Sequence, residues 1–181
     1  GPGQGGDAAA RLARARESFA RRPDRAAVKE AESLFLAAAG ADPTGIEGLY
    51  GAIFAEAWLV EHEADPTARA ALAASAVQAG QWCDQRAPAE ARCDYGLAVA
   101  LGLQARESPS TGLDALKLIV ARLTRAAARD PKLDFAGPSR VLALVLLRAP
   151  GWPLGPGDPE SALVEARKAA GLHHNSHSAG D

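Results

Sequence analysis

The chain is 181 residues long, 48% hydrophobic but only 5% aromatic, and its formal net charge is −2. That length supports one domain with a real core, and the charge balance gives no reason to expect a nucleic-acid or anionic-membrane surface. Much of the apolar content is alanine, the best helix former. Few segments are rich in β-branched residues, so the expected class is all-α, and no apolar run reaches the length of a membrane span.

The chain opens Gly1-Pro2-Gly3-Gln4-Gly5-Gly6 and has no methionine. Residues 1–6 read as the scar of a cleaved tag or a disordered linker, with any native signal peptide or lipidation site already removed. Residues 7–172 are expected to form a single helical repeat domain, and residues 173–181 a flexible polar tail. The first helix is expected from about Asp7 to Arg21, stopping before Pro23. Its arginines, Arg11, Arg14, Arg16, Arg21, Arg22 and Arg25, alternate with carboxylates and read as a solvated face. A second helix from about Asp24 to Ala39 places Val28, Ala31, Phe35 and Ala38 on one stripe, with Gly40 as its stop.

A third helix from about Thr44 to Glu63 carries Ile46, Leu49, Ile53, Ala57 and Val60. Asp65-Pro66 starts the fourth, with Asp as N-cap and Pro at the first helical position. The inward stripe of the fourth is Leu72, Ala76, Ala79 and Cys83. The fifth begins near Pro88 with Cys93, Gly96, Ala100 and Leu103 inward. Ser108-Pro109 starts the sixth, with Leu113, Leu116, Val120, Leu123 and Ala127 inward. The seventh holds the apolar run Val141–Leu147. Asp158-Pro159 starts the eighth, with Ala162, Leu163, Ala166 and Ala170 inward.

Three short blocks repeat: Tyr50-Gly51, Tyr95-Gly96 and Ala136-Gly137, at intervals of 45 and then 41 residues. A period in this range signals stacked helix pairs. The expected architecture is a right-handed solenoid of about eight antiparallel helices, tetratricopeptide-like, which presents a surface rather than a reaction centre. The third copy breaks the pattern. It replaces Tyr by Ala, continues into Gly137-Pro138-Ser139-Arg140, and leads to an inserted loop, Ala149-Pro150-Gly151-Trp152-Pro153-Leu154-Gly155-Pro156-Gly157. Insertions in a repeat become surface loops, often on the binding face.

Three stretches carry a family resemblance: Gln81 to Gly102; Leu123 to Leu147, above all Asp134-Phe135-Ala136-Gly137-Pro138-Ser139-Arg140-Val141-Leu142; and Ala149 to Ala162. On these the chain resembles tetratricopeptide arrays and, more narrowly, the T component of tripartite ATP-independent periplasmic (TRAP) transporters. Its repeats are longer than the usual tetratricopeptide period of about 34 residues. The resemblance implies a periplasmic lipoprotein whose partner is a solute-binding protein.

Cys83 and Cys93 lie equally far from Pro88. If the fourth and fifth helices turn there as an antiparallel hairpin, the two thiols face one another and a disulfide is geometrically reasonable. The alternative is two small buried hydrophobes. Gly51, Gly96, Gly102 and Gly137 are costly inside helices and read as sites of close helix approach. Tyr50, Trp58 and Tyr95 are candidate partner-binding aromatics of a concave groove, or interior fillers. Arg140 is a candidate anion or partner contact, or a clamp on its own turn through Asp134 or Asp130. Trp152 either docks a partner or folds back over the seventh helix. His173, His174 and His177 read as tail rather than a metal tract. No nucleophile–base pair, phosphate loop or metalloprotease motif occurs, so the expectation is a non-enzymatic scaffold without cofactor, metal or nucleic acid. The rival functions are a carrier of a small hydrophobic ligand and a cytoplasmic adaptor.

Overall fold

The computed structural model describes the backbone of residues 2–178 and the side chains of residues 6–110 and 112–172. It is all-α, with eight helices and no strand among the described residues. The helical chain expected as one domain over 7–172 divides into two compact units, Gly1–Ala89 and Glu90–Asp181.

The first unit contains α1 (Pro2–Phe19), α2 (Arg25–Ala41), α3 (Glu47–Glu61) and α4 (Pro66–Arg86). Each helix packs on the next, and α1 also touches α3. The second unit contains α5 (Ala91–Glu107), a short 3-10 turn (Pro109–Thr111), α6 (Gly112–Arg129), α7 (Leu133–Arg148) and α8 (Pro159–Ser178). Here too each helix packs on its successor, and α5 reaches α7. Among the described residues α1 does not pack on α4, nor α5 on α8. A closed four-helix bundle would join its first and last helices; successive pairing with skip contacts is how solenoid repeats stack.

Local chemistry sets several helix starts as expected. The Asp24 carboxylate accepts from the Ala27 N–H, that of Asp65 from Thr67, and that of Asp158 from Ser161. Each satisfies a backbone donor that the helix leaves unpaired. Pro66 and Pro159 occupy first helical positions, where no N–H is needed. Ser108 differs. Its side chain makes no capping bond, and the 3-10 turn precedes α6. Gly40 does not stop α2, which runs on to Ala41 before the Asp42 N–H bonds to Ala38 O. At the C-terminal end of α2, Arg86 Nη1 donates to the carbonyls of Ala39, Asp42 and Gly45, at 3.0, 3.0 and 2.9 Å. Helix α1 begins at Pro2 and α8 continues to Ser178, beyond the expected ends; residues 179–181 lie outside the described residues.

The first unit's core joins Ala15 of α1, Val28, Ala31 and Phe35 of α2, and Ala52, Ala55 and Leu59 of α3. Small residues allow the close approach: a Cβ on Gly51 would run into the Phe35 ring. In the second unit Asp94 of α5 is fully buried and takes Arg122 Nη1 at 2.9 Å and Arg125 Nη2 at 2.6 Å, both from α6. Burial pushes its carboxyl up, but the hydrogen bonds and charges of Arg125 and Arg122 outweigh that and hold it below the ordinary value.

Two expected stripes are corrected. On α6, Leu113 is 50% exposed, while Ile119, Leu123 and Ala126 are buried. On α8, Leu163 is 52% exposed and Ala166 and Ala170 are exposed, while Ala162 and Ala169 are buried. These apolar residues have the periodicity of a core face, yet much of that face is open.

Candidate functional site: the α7 surface and its flanking loops

The most unusual backbone in the chain leads into α7. Asp134, Phe135 and Ala136 take left-handed φ values of 49°, 54° and 60°. Such a conformation costs a non-glycine residue roughly 1–2 kcal/mol, so three in succession require support. Pro138 explains part of it. In a regular helix its N–H would bond the carbonyl of Asp134, four residues back, and proline has none. Arg140 supplies the missing donors: its Nη2 bonds Asp134 O at 2.8 Å and its Nε bonds Phe135 O at 3.0 Å. The guanidinium also lies 3.7 Å from the Asp134 carboxylate.

From α5, the Tyr95 hydroxyl donates to Asp134 Oδ2 at 2.6 Å. A Cβ on Gly137 would collide with that hydroxyl, so the glycine is the residue that admits Tyr95. The Gly-Pro-x-Arg block is thus a fork that holds a left-handed turn. The turn in turn presents the Phe135 side chain, 72% exposed.

A second built feature follows α7. Gly151 and Gly157 bridge, Gly157 N–H bonds Pro150 O at 2.8 Å, and Asp158 N–H bonds Leu146 O at 2.8 Å. Within the loop, Leu154 N–H and Gly155 N–H both reach Gly151 O. A Cβ at Gly157 would strike the Ala149 carbonyl, so glycine closes the neck. The closed loop carries Trp152 at 89% exposure and Leu154 at 74%. Trp152 does not fold back over α7.

Between these two features α7 separates two open apolar grooves. One, of about 410 Å³, lies between α6 and α7 and includes Leu113, Leu116 and Val145. The other, of about 580 Å³, lies between α7 and α8 and includes Ala143, Leu147 and Leu163. Leu144 borders both. Among the described residues, the charged ones lining the grooves are Arg106 and Arg148 in the first and Arg140 in the second, with no carboxylate in either. Gly102, expected at a close helix contact, has open space around it and lines the first groove.

The remaining candidate residues fall elsewhere. Tyr95 as a groove aromatic is corrected: it is 3% exposed and its hydroxyl is committed to Asp134. Tyr50 is half-buried on α3 and packs edge-on against Phe54, with ring centroids 4.9 Å apart. Trp58, also half-buried, packs on the first unit's core and stacks on His62 at 3.7 Å. Cys83 and Cys93 are fully buried and disulfide-bonded. Among the described residues no three His, Cys, Asp or Glu side chains gather to hold a metal, and no helix is long and apolar enough to cross a membrane. His173, His174 and His177 have side chains outside the described residues.

Phe135, Leu144, Leu147 and Leu154 were not legible as surface residues, because their apolar pattern does not say what covers them. The signal that did point here is the break in the third repeat block. No protein-family model matches the chain, and no curated protein matches it.

Proposed function

We propose that this protein is a non-catalytic helical scaffold that docks another protein on the α7 surface of its second unit. One observation carries the reading. Residues patterned as core, Leu113, Leu144, Leu147 and Leu163, are 47% or more exposed beside two ordered aromatic displays, Phe135 and Trp152. An apolar face of this extent, built on rigid helices, marks an interaction site, and exposed aromatics are the usual anchors of such sites.

The finer assignment, the accessory T subunit of a TRAP-type transporter acting on a periplasmic solute-binding protein, rests on the sequence resemblance at residues 81–102, 123–147 and 149–162. A buried disulfide fits an oxidising compartment, and a lipoprotein anchor belongs to the same assignment. The test is affinity capture from periplasmic extract. Wild-type protein should retain a solute-binding protein that Leu144→Arg and Trp152→Ala lose and Tyr50→Ala keeps. Equal recovery by all four refutes the α7 surface as the docking site.

A second reading, carriage of a small amphiphile, is favoured by the groove volumes of about 410 and 580 Å³, within the range of ligand sites. Native mass spectrometry of freshly purified protein would reveal such a co-purified ligand.

A further inference from the structure

We infer that the segment docking on α7 is an amphipathic helix whose apolar ridge is flanked by carboxylates; this rests on the scaffold reading above and specifies its partner. The first argument concerns shape. Arg140, Leu144 and Leu147 follow helical spacing along α7 and form a ridge, with one groove on each side. A ridge between grooves is the surface onto which another helix packs. The second argument concerns backbone. An extended segment cannot gain affinity here by adding to a strand edge, because there is no strand among the described residues. A helix satisfies its own backbone and needs no such edge, so it can bring side chains alone to the ridge.

The third argument concerns charge. The whole chain is −2, yet among the described residues the charged ones lining both grooves are arginines: Arg106, Arg140 and Arg148. Arg148 is exposed and has no carboxylate partner among the described residues. Arg140 uses Nε and Nη2 on backbone carbonyls and has the Asp134 carboxylate 3.7 Å from Nη2, but keeps its Nη1 N–H groups for a ligand. A basic partner would bring like charges together over a partly desolvated face, whereas carboxylates placed beside the apolar ridge would meet guanidinium groups in forked geometry. Finally, a small ligand inside either groove would leave Phe135 and Trp152, at the two ends of α7, uncovered. A helix about five turns long, roughly 27 Å, is long enough to run beside the whole of α7 and approach both.

A displayed library tests this. Helical peptides of about five turns carry leucine or phenylalanine on one face, and their flanking positions are randomised among Glu, Lys, Gln and Ser. The library is selected on wild-type protein and counter-screened on Leu144→Arg, with Leu163→Arg as a second surface variant and circular dichroism confirming that both fold. The expected result is enrichment of Glu at the flanks. Binding should weaken about five- to tenfold for each central Glu→Lys exchange, be relieved by salt, and reverse its charge preference on Arg148→Glu. Binders that depend on Leu144 but show no bias, or a bias to Lys, overturn the acidic-helix inference and leave the scaffold reading standing. Binders indifferent to both leucine variants, or no binders at all, overturn both. Binding to phosphatidylglycerol vesicles but to no peptide also overturns both, in favour of a membrane-facing surface.

Discussion

Glu56 gives the sharpest quantitative test of the structure. It lies on α3 with 0% exposure, and no hydrogen bond of normal geometry reaches either carboxylate oxygen. Burial pushes its carboxyl up to about 8, from an ordinary value of 4.5; the nearby Ser75 hydroxyl opposes the shift only in part, and the Glu32 carboxyl adds to it, first by sharing a proton with Glu56 and then by repulsion. The folded state therefore holds a proton that the unfolded chain releases. Its stability is complete below about pH 4.5, where both states are protonated, and it declines as pH rises toward 8. Above 8 both states are ionised and nothing more is lost. One pKa unit is worth about 1.4 kcal/mol, so the full span amounts to about 5 kcal/mol, of which roughly 3 is lost by pH 7. That is a large part of the 5–15 kcal/mol that is typical of a domain. Glu56→Gln keeps the side-chain shape and cannot ionise. Urea unfolding of both proteins at pH 5, 7 and 9 should show the variant gaining about 4 kcal/mol on the wild type between the ends of that range. Glu32→Gln should recover a smaller part. Parallel profiles for wild type and Glu56→Gln would refute the reasoning, because they would mean that water or a relaxed side chain already solvates the charge.

Three further outcomes follow from the same geometry. Phe135→Asn places a residue that tolerates left-handed φ where a mostly exposed Phe stands, so denaturant unfolding should show a gain of about 0.5–1 kcal/mol. Partner binding should weaken in the same variant. Arg86→Lys replaces a planar donor that serves three carbonyls with a single ammonium group, and should lower stability by about 1–3 kcal/mol, measured by thermal unfolding. Replacing both Cys83 and Cys93 by Ala should lower stability by about 2–3 kcal/mol in the chain-entropy picture, and added reductant should then change the variant's unfolding curve no further.

Much of the fold could be read locally. Asp24, Asp65 and Asp158 announce helix starts because a short carboxylate before a helix can reach the N–H groups two or three residues on, and each does. The stripes of α2 and α5 were legible because both helices have neighbours on the expected side. The periodic leucines of α6 and α8 were misleading for a physical reason: periodicity reports that a face is apolar, not that this chain covers it. Glu56 escaped notice for the opposite reason. A single carboxylate among alanines reads as a side chain in water, and only the packing of α2, α3 and α4 decides that water is excluded from it.

The turn at residues 134–136 could not be read from local preference at all, since Asp134, Phe135 and Ala136 would each gain by adopting right-handed helix. Its cause is distributed. Pro138 withdraws one donor from the backbone, Arg140 returns two, Gly137 makes room, and Tyr95 arrives from α5 to hold the carboxylate of Asp134. Strain of several kcal/mol persists only where the surroundings over-determine it, and such places concentrate at functional sites. Here the strain yields no burial in return: it turns Phe135 outward at one end of α7, while a glycine-closed loop holds Trp152 outward at the other. In the first unit Phe35 is buried in the core and Trp58 packs against it, while Trp82 of α4, 45% exposed, is open to solvent less than Phe135 or Trp152. The most exposed aromatics of the chain, Phe135 and Trp152, are thus the two held at the ends of α7. Hydrophobic stabilisation alone would remove that arrangement, and docking a partner would explain its retention.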